Sequence, residues 1–257
     1  MQTSPLVLAT LLALSGSAWG AECQARSGPE RATLIELFTS EGCDSCPPAD
    51  RWLSGLLRGP AAAGVVALAF HVDYWNRLGW RDPYSSADFT ARQEARQKAG
   101  RSAFLYTPQV TLDGGDFRDW RSLALPRRGT GTPPAARADI TLQAASGPGG
   151  ILAARVEASA PGFGAGTAEE AGLYLALVEN RLSTDVLHGE NAGRRLEHDA
   201  VVREWIGPLA LDRQGRVSIR HQFRRQDVDL RHAALVAIVE TTRRLEPLQA
   251  LRLDACP

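Results

Sequence analysis

Two cysteines with two residues between them are the feature of this sequence that most clearly carries chemistry. Cys43 and Cys46 follow residues 33–38, an apolar run that predicts a strand, and precede a run whose apolar residues recur at helical spacing. At a helix start the sulfur atoms can bridge, and the helix dipole stabilises a thiolate. Because thiolates attack disulfides, we predict a thiol–disulfide oxidoreductase with Cys43 as the exposed nucleophile and Cys46 as the resolving thiol.

The same spacing is compatible with other kinds of site. A zinc site would need a second Cys-x-x-Cys or a paired histidine motif, and the sequence has neither. A Cu(I)-binding chaperone would use the two thiolates with His71, although Met1 is the only methionine. A redox-inactive scaffold with a static disulfide is the third alternative. We predict no metal and no cofactor, since electrons would pass through the dithiol itself.

The two remaining cysteines lie at opposite ends of the chain. Four cysteines allow three pairings. A bridge between Cys43 and Cys46 leaves Cys23 with Cys256, and the two ends of a domain often lie close together. We therefore favour a structural disulfide between Cys23 and Cys256, the alternative being frayed ends with free thiols.

A proline and a group of aromatic residues are the candidates for binding a substrate. In thioredoxin-like folds a cis proline packs beside the Cys-x-x-Cys and holds a substrate strand, and Thr107-Pro108 opens a predicted strand where that role requires it. Six of the 17 aromatic residues lie between positions 70 and 89. Tyr74 and Trp75 in this segment either line a substrate groove or belong to a lid over apolar surface.

Several titratable residues are candidates for proton transfer. Glu36 lies within the strand before the cysteines, and burial would raise its pKa. His71 and Asp73 follow the next apolar run and are the other two candidates. For each of them the alternative is a structural group that is satisfied by hydrogen bonds or a salt bridge. A further polar cluster is either a ligand site or, as we favour, a polar loop: His188, Glu190, Asn191, Arg194 and His198.

The order of elements predicts two domains. Up to residue 125, strands alternate with helical runs, including a helix over residues 86–99 and another over 117–125. Beyond a Pro- and Gly-rich stretch, short alternating runs predict antiparallel strands. The predicted fold class is an α/β thioredoxin-like domain at residues 31–125, after an N-terminal segment at 21–30. A linker at 126–137 then leads to an all-β sandwich-like domain at 138–257.

Several long motifs carry a resemblance to a known family. Residues 37–50, 70–75, 78–84 and 106–109 resemble the secreted thioredoxin-like proteins of the family known as domain of unknown function 1223, and residues 186–194 match it more weakly. The resemblance implies a thioredoxin-like fold with an added β domain. It implies no particular substrate, because the family is uncharacterised.

The N-terminal residues predict export. Residues 1–20 carry no charged side chain, and the apolar run at residues 6–14 is too short to span a bilayer. Small residues at Ala18 and Gly20 suit cleavage before Ala21, so residues 1–20 are predicted to be a signal peptide. The mature protein is predicted to be periplasmic or secreted, where disulfides persist.

The balance of charges argues against two classes of binding partner, nucleic acids and membrane surfaces. The 257 residues carry 29 basic and 29 acidic side chains, so the chain lacks the positive excess that nucleic-acid binders and polybasic membrane binders need. We therefore predict no nucleic-acid partner and no membrane partner after signal cleavage. The predicted partners are protein thiols or disulfides in the periplasm.

Overall fold

Most apolar and alternating runs of the sequence form strands. A computed structural model describes residues 22–59, 62–100, 102–122, 133–224 and 226–256, so the predicted signal peptide and most of the predicted linker lie outside the described residues. The first half contains β1 (Glu22–Arg26), β2 (Thr33–Thr39), α1 (Pro47–Arg58), β3 (Val65–His71), α2 (Ala87–Lys98), β4 (Gln109–Leu112) and β5 (Gly115–Asp116). In place of the helix predicted over residues 117–125, a 3-10 helix occupies Arg118–Ser122.

The second half is built mainly from strands in the part that the structure describes. They are β6 (Asp139–Gly147), β7 (Ile151–Ser159), β8 (Ala171–Glu179), β9 (Leu182–Asp185), β10 (Arg195–His198), β11 (Val201–Ala210), β12 (Arg216–Phe223), β13 (Ala233–Thr241) and β14 (Pro247–Asp254). Each alternating run of the sequence in this half lies within one of these strands.

Strands from both halves of the chain share one eight-stranded sheet. Its order is β14-β13-β8-β11-β3-β2-β4-β5. β2 and β3 are parallel over their whole lengths, from Thr33 opposite Val65 to Thr39 opposite His71. β11 joins the halves, because Val201 pairs in parallel with Ala69 of β3 while the rest of β11 runs antiparallel to β8.

The predicted fold class, an α/β thioredoxin-like domain followed by an all-β sandwich-like domain, is wrong. The described residues are mostly β-sheet and contain only two α-helices, α1 and α2. The physical reason is the pairing of β11 with β3: apolar strands predicted to belong to separate domains bury one another within the same sheet. A pattern of neighbouring residues identifies a strand but not its partner.

The second sheet covers part of the first. Its order is β1-β6-β7-β12, so the N-terminal strand pairs with the second half of the chain. The main core lies between the two sheets, where alternate residues of β6 and β7 meet alternate residues of β8 and β13. The Cys23–Cys256 disulfide that the sequence favours is present, with 6.0 Å between the two Cα atoms.

The two helices lie on opposite faces of the eight-stranded sheet. Ala49 and Leu53 of α1 pack with Ile35 and Leu37 of β2. Phe89 of α2 packs on the other face, against the residues of β2 and β3 that alternate with these. No helix among the described residues has both the length and the apolar character that a membrane crossing requires.

Local sequence explains where each helix begins. Pro47 and Pro48 occupy the first positions of α1, where a missing N–H costs little. The side chain of Ser86 caps α2 by accepting a hydrogen bond from the backbone N–H of Asp88. The beginning of α1 is therefore fixed at Pro47, eight positions after the end of β2 and directly after Cys46.

Candidate functional site

Cys43 and Cys46 form a disulfide at the beginning of α1, in the pairing that the sequence favours. Their Cα atoms lie 5.4 Å apart. Cys46 is the residue that caps α1, and its carbonyl oxygen accepts hydrogen bonds from the N–H groups of Ala49 and Asp50. The bridge therefore lies at the positive end of the helix dipole, where negative charge on a sulfur atom is stabilised.

Both cysteines are completely buried. Cys43 and Cys46 each have 0% exposure, although Asp44 and Ser45 between them are exposed. The Oγ atom of Ser45 lies 3.4 Å from the Sγ atom of Cys43. This differs from the expectation that Cys43 is an exposed nucleophile, and the reason is a cover that comes from the second half of the chain.

The cover is formed by residues 186–194, which we call the covering loop. The side-chain amide of its buried residue Asn191 donates to the carbonyl oxygens of Glu41 and Cys43, at 2.8 and 2.9 Å. The carboxylate of Glu190 accepts from the N–H of Asp44 at 3.1 Å. The polar loop expected from the sequence is present, and these bonds fasten it to the cysteine segment.

A glycine in the covering loop permits its close approach to the aromatic segment. Gly189 has a φ of +76°, and a Cβ atom there would lie 3.1 Å from the Cβ atom of Trp80. Gly189 also lies beside Gly79. The loop thus packs on the chain around Trp80, and the side chains of Leu78 and Leu187 remain 51% and 68% exposed.

Trp75 connects the cysteine segment to the proline. A Cβ atom on Gly42 would lie 3.2 Å from the Cβ atom of Trp75, and the indole N–H of Trp75 donates to the hydroxyl of Thr107 at 2.8 Å. The Thr107-Pro108 peptide bond is cis, as predicted from the sequence. Trp75, next to Gly42 of the cysteine segment, therefore joins Thr107 and Pro108 to this segment, and all three residues are half-buried.

Tyr74 is the fourth residue expected to bind substrate. Its hydroxyl donates to the side chain of Gln93 on α2 at 3.3 Å. Burial raises the pKa of Tyr74, although hydrogen bonds with Thr107 and Gln93 oppose the rise. The phenol is therefore neutral and also belongs to the group around Thr107.

His71 and Asp82 form a buried pair on the same face of the sheet as α1. Both side chains have 0% exposure, and the Nδ1 atom of His71 donates to the Oδ2 atom of Asp82 at 2.7 Å. Asp82 also accepts from the N–H groups of Glu41 and Tyr84. Burial would raise the pKa of Asp82, but interaction with His71 and these backbone hydrogen bonds hold it below its usual value.

A second buried histidine lies between two carboxylates. The Nε2 atom of His198 donates to the Oε1 atom of Glu41 at 3.2 Å, and its Nδ1 atom lies 3.9 Å from the Oδ1 atom of Asp50. Burial would lower the pKa of His198, but Asp50 and Glu41 raise it to about 10. The two carboxylates therefore favour the protonated form of His198, and its ring packs against that of His71 at 4.8 Å.

Glu36 lies on the opposite face of the sheet from the disulfide. It accepts from Arg92 and Arg96 of α2, which also pair with Glu240. Burial would raise the pKa of Glu36, but the charges and hydrogen bonds of the two arginines hold it below its usual range. A carboxylate kept ionised in this way fixes α2 to the sheet and is poorly placed to accept a proton from a thiol.

Asp73, the third candidate for proton transfer, is hydrogen-bonded to Thr90 of α2. Its carboxylate accepts from the hydroxyl of Thr90 at 2.6 Å, and its N–H donates to the same hydroxyl at 3.1 Å. Of the three candidates for proton transfer, only His71 lies in the buried group on the α1 side. Sequence reasoning missed the roles of Glu41, Asp50, Asp82 and Asn191, and the one local signal was Asp50, which lies one helical turn after Cys46.

Comparison with known proteins places the chain in a family. A family model described as "Protein of unknown function (DUF1223)" matches residues 34–240, which include the cysteines, the aromatic segment and the covering loop. The chain belongs to this DUF1223 family. No curated protein matches it.

Two solved structures resemble the DUF1223 chain. The crystal structure of a protein from Agrobacterium tumefaciens is 25% identical, with a TM-score of 0.56, over 88% of this chain and 96% of that one. HBP35 of Porphyromonas gingivalis is 14% identical, with a TM-score of 0.62, over 89% of this chain and 76% of that one. At this identity HBP35 supports the fold alone.

Proposed function

We propose that this DUF1223 protein is a thiol–disulfide oxidoreductase whose reactive group is the Cys43–Cys46 disulfide. The observation that carries the proposal is the position of this bridge at the beginning of α1. A leaving or attacking sulfur at a helix N-terminus is stabilised as a thiolate by the helix dipole and the free N–H groups. A disulfide that closes only a four-residue segment also contributes little to the stability of the fold by restricting the unfolded chain.

The proposed reaction exchanges one disulfide for another. A thiolate of a substrate dithiol attacks the sulfur of Cys43, the Cys43–Cys46 bond breaks, and Cys46 leaves as a thiolate. The second substrate thiolate then attacks its partner sulfur in the mixed disulfide and releases Cys43. The substrate loses two electrons and the protein gains them, and the reverse sequence reduces a substrate disulfide.

Access to Cys43 requires movement of the covering loop. The bonds from Asn191 and Glu190 close the site from one side, while Trp75, Thr107 and Pro108 border it from another. We place the substrate between these two borders, where Leu78 and Leu187 offer exposed apolar contacts. The proposed partners are protein dithiols or disulfides, held by apolar and main-chain contacts.

We propose an extracytoplasmic location for this reaction. Two disulfides in one chain suit a compartment where disulfides persist. The predicted signal peptide at residues 1–20 agrees with this location, and the periplasm or the extracellular space would supply protein thiols as substrates.

The experiment is to measure the reduction potential of the Cys43–Cys46 pair and the turnover of insulin disulfides. We expect reversible exchange that Cys43→Ser abolishes. Cys23→Ser is the matched control, because it removes the other disulfide and should leave the exchange intact. A potential below about −300 mV together with no turnover would contradict the proposal.

A static structural bridge is the second candidate function for the disulfide. The observation that favours it is the complete burial of both cysteines. The same experiment separates the two, because a static bridge resists reduction in the folded protein and a reactive one opens while the fold stays intact. Loss of the near-UV signal of the fold at the same reductant concentration as the bridge would support the static role.

A further inference from the structure

The outer face of the four-stranded sheet, which points away from the main core, carries two arginines directly opposite each other. Arg155 of β7 pairs in register with Arg220 of β12, and both side chains are exposed. Cross-strand neighbours have their Cβ atoms about 5 Å apart, and like charges in such a pair destabilise the sheet. Folding alone therefore does not explain why both positions carry a positive charge.

One of these two charges has no counter-ion among the described residues. Arg155 pairs with Glu157, two positions along its own strand, at 2.6 Å. The guanidinium of Arg220 forms neither an ion pair nor a hydrogen bond within the part of the chain that the structure describes. Protection of the edge strand β12 does not account for it, because Arg216 already gives that edge a charge. Two guanidinium groups that share one carboxylate can bind a second anion.

An open depression of about 590 Å³ adjoins the two arginines. Its floor is formed by Ala145 and Ala153, which are cross-strand neighbours on the same face. The depression exists because these two short side chains lie in the middle of longer ones. Its volume falls within the range of small-molecule sites, about 300–1,000 Å³. The longer side chains around the floor are Glu22, Gln143, Arg155, Arg220 and Gln222.

Two glutamines on the rim supply the hydrogen-bonding groups that a hydroxyl needs. The side-chain carbonyl oxygen of Gln222 accepts from Arg224, which leaves its NH₂ group as a donor. The NH₂ group of Gln143 donates to Gln24, which leaves its carbonyl oxygen as an acceptor. The depression therefore presents a donor, an acceptor and a guanidinium pair around an apolar floor.

We propose that this depression binds a sugar acid, with the carboxylate of the ligand on Arg155 and Arg220. The hydroxyl groups of the sugar bind the two glutamines of the rim, and the C–H face of its ring rests on the alanine floor. The carboxylate is held by charge-assisted hydrogen bonds. The inference is independent of the proposed thiol–disulfide activity, because the Cys43–Cys46 disulfide lies beside the other sheet.

The charge at the arginine pair favours a carboxylate over a phosphate. Arg155, Arg220 and Glu157 together carry one net positive charge, which a carboxylate balances and a phosphate dianion exceeds. Glu22, the other acid on the rim, lies on β1, two strands and therefore roughly 10 Å from β7. A second negative charge on the ligand would be repelled by Glu22.

The experiment titrates the oxidised protein with glucuronate and galacturonate, two sugar acids that differ at one hydroxyl, and follows the backbone amide signals by NMR. We expect saturable shifts in β6, β7 and β12, with a Kd of about 1 mM or below for at least one of them. Glucose lacks the carboxylate and acetate lacks the ring, so each should bind about 10-fold more weakly or worse. Glucose 6-phosphate should also bind more weakly, because its second negative charge is not balanced.

Variants separate this site from the general charge of the sheet. Arg220→Gln should weaken binding of the sugar acid by about 10-fold or more, because its charge-assisted hydrogen bonds are lost. Ala153→Leu keeps every charge but fills the depression, and should weaken binding by a similar factor. Arg216→Gln is the matched control, because this exposed arginine lies on the same strand and face but is paired with Asp212. Its affinity should equal that of the wild type.

Thermal unfolding gives a readout that a purely structural role of the pair would move in the opposite direction. Arg220→Gln removes a repulsion with Arg155, so the variant should unfold at the same temperature as the wild type or at a higher one. Sugar acid should raise the unfolding temperature of the wild type and leave that of the variant unchanged.

Three results would overturn the inference. The first is binding of both sugar acids no tighter than binding of acetate, glucose or glucose 6-phosphate. The second is an unchanged affinity in Arg220→Gln or Ala153→Leu. The third is a lower unfolding temperature of Arg220→Gln without ligand, which would assign the arginine pair to folding. The outcome of the insulin assay has no bearing on any of them, so failure of the proposed function is distinguishable.

Discussion

At the scale of single residues, the disulfide is surrounded by charge that the helix dipole does not explain. Glu41 and Asp50 flank His198, and Asp82 is paired with His71, so buried acids from two loops and α1 face the imidazoles of β3 and β10. One ring nitrogen of each histidine is hydrogen-bonded to a buried acid, His71 to Asp82 and His198 to Glu41. The residue that reports these interactions most directly is His198.

We predict that His198 makes stability depend on pH in the alkaline range. Its pKa is raised to about 10 in the folded protein, above the ordinary value of 6.5. Its contribution is therefore complete below about pH 6.5 and is lost as the pH rises through about 10. The free energy of unfolding of the oxidised protein should fall by roughly a few kcal/mol across this window.

Guanidinium unfolding at a series of pH values checks this prediction. His198→Gln should be less stable at neutral pH and should lack the alkaline decline, whereas His221→Gln, which removes a half-buried histidine, should keep it. A wild-type protein and a His198→Gln variant that lose stability in parallel would contradict the assignment.

At the scale of elements, the covering loop decides whether the disulfide is accessible. It lies between β9 and β10, which pair from Asp185–Arg195 to Leu182–His198. The loop closes on itself through the backbone bonds between Val186 and both Arg194 and Gly193, so it can move as a unit. Its attachment to the cysteine segment rests mainly on the buried amide of Asn191.

We predict that Asn191→Ala accelerates reduction of the Cys43–Cys46 bond. Loss of two buried hydrogen bonds, each with a net value of about 1 kcal/mol, should raise the population of the open loop by about 10-fold or more. The rate of reduction by dithiothreitol should rise by a similar factor. His188→Ala, an exposed position in the same loop, is the matched control and should leave the rate unchanged. Equal rates in all three proteins would show that some other segment limits access.

At the scale of the whole molecule, the two sheets and the terminal disulfide hold the halves of the chain together. β1 pairs with β6, and β11 pairs with β3, so each half contributes strands to the other. Cys23 and Cys256 then join the N-terminal strand to the segment after β14. Separation of the halves would break both sheets at once.

We predict that Cys23→Ser lowers the free energy of unfolding by about 4 kcal/mol. The bridge spans 233 positions, and a long loop closed by a disulfide restricts the unfolded chain strongly. Thermal unfolding of the variant and of the wild type, both with Cys43–Cys46 oxidised, measures the difference. The Cys43–Cys46 disulfide closes a far shorter segment, so Cys43→Ser should lower the free energy of unfolding by less. A larger loss in that variant would contradict the prediction.

The sequence predicts the elements better than their assembly. The alternation in residues 216–223 predicts β12, and the apolar run at 65–70 predicts β3, because the pattern of a strand is contained in adjacent residues. The pairing of Val201 with Ala69 depends on packing between distant segments, which no local pattern contains. For this reason the predicted fold class, an α/β thioredoxin-like domain followed by an all-β sandwich-like domain, was wrong.

The residues of the candidate site are likewise only partly predictable from the sequence. Cys43, Cys46 and the cis peptide bond at Thr107-Pro108 follow from short motifs. The charge environment does not, because His198 reaches Glu41, and Asn191 reaches the Cys43 carbonyl, from the other half of the chain. Burial of the disulfide was also unpredictable for this reason.

The distance along the chain between Cys43 and Asn191 sets an order of events during folding. The two residues are 148 positions apart, and contacts between such distant segments form late because they require both halves to come together. In a newly synthesised chain the two thiols are therefore accessible before the covering loop packs on them. The Cys43–Cys46 pair is thus accessible early in folding and buried in the folded protein.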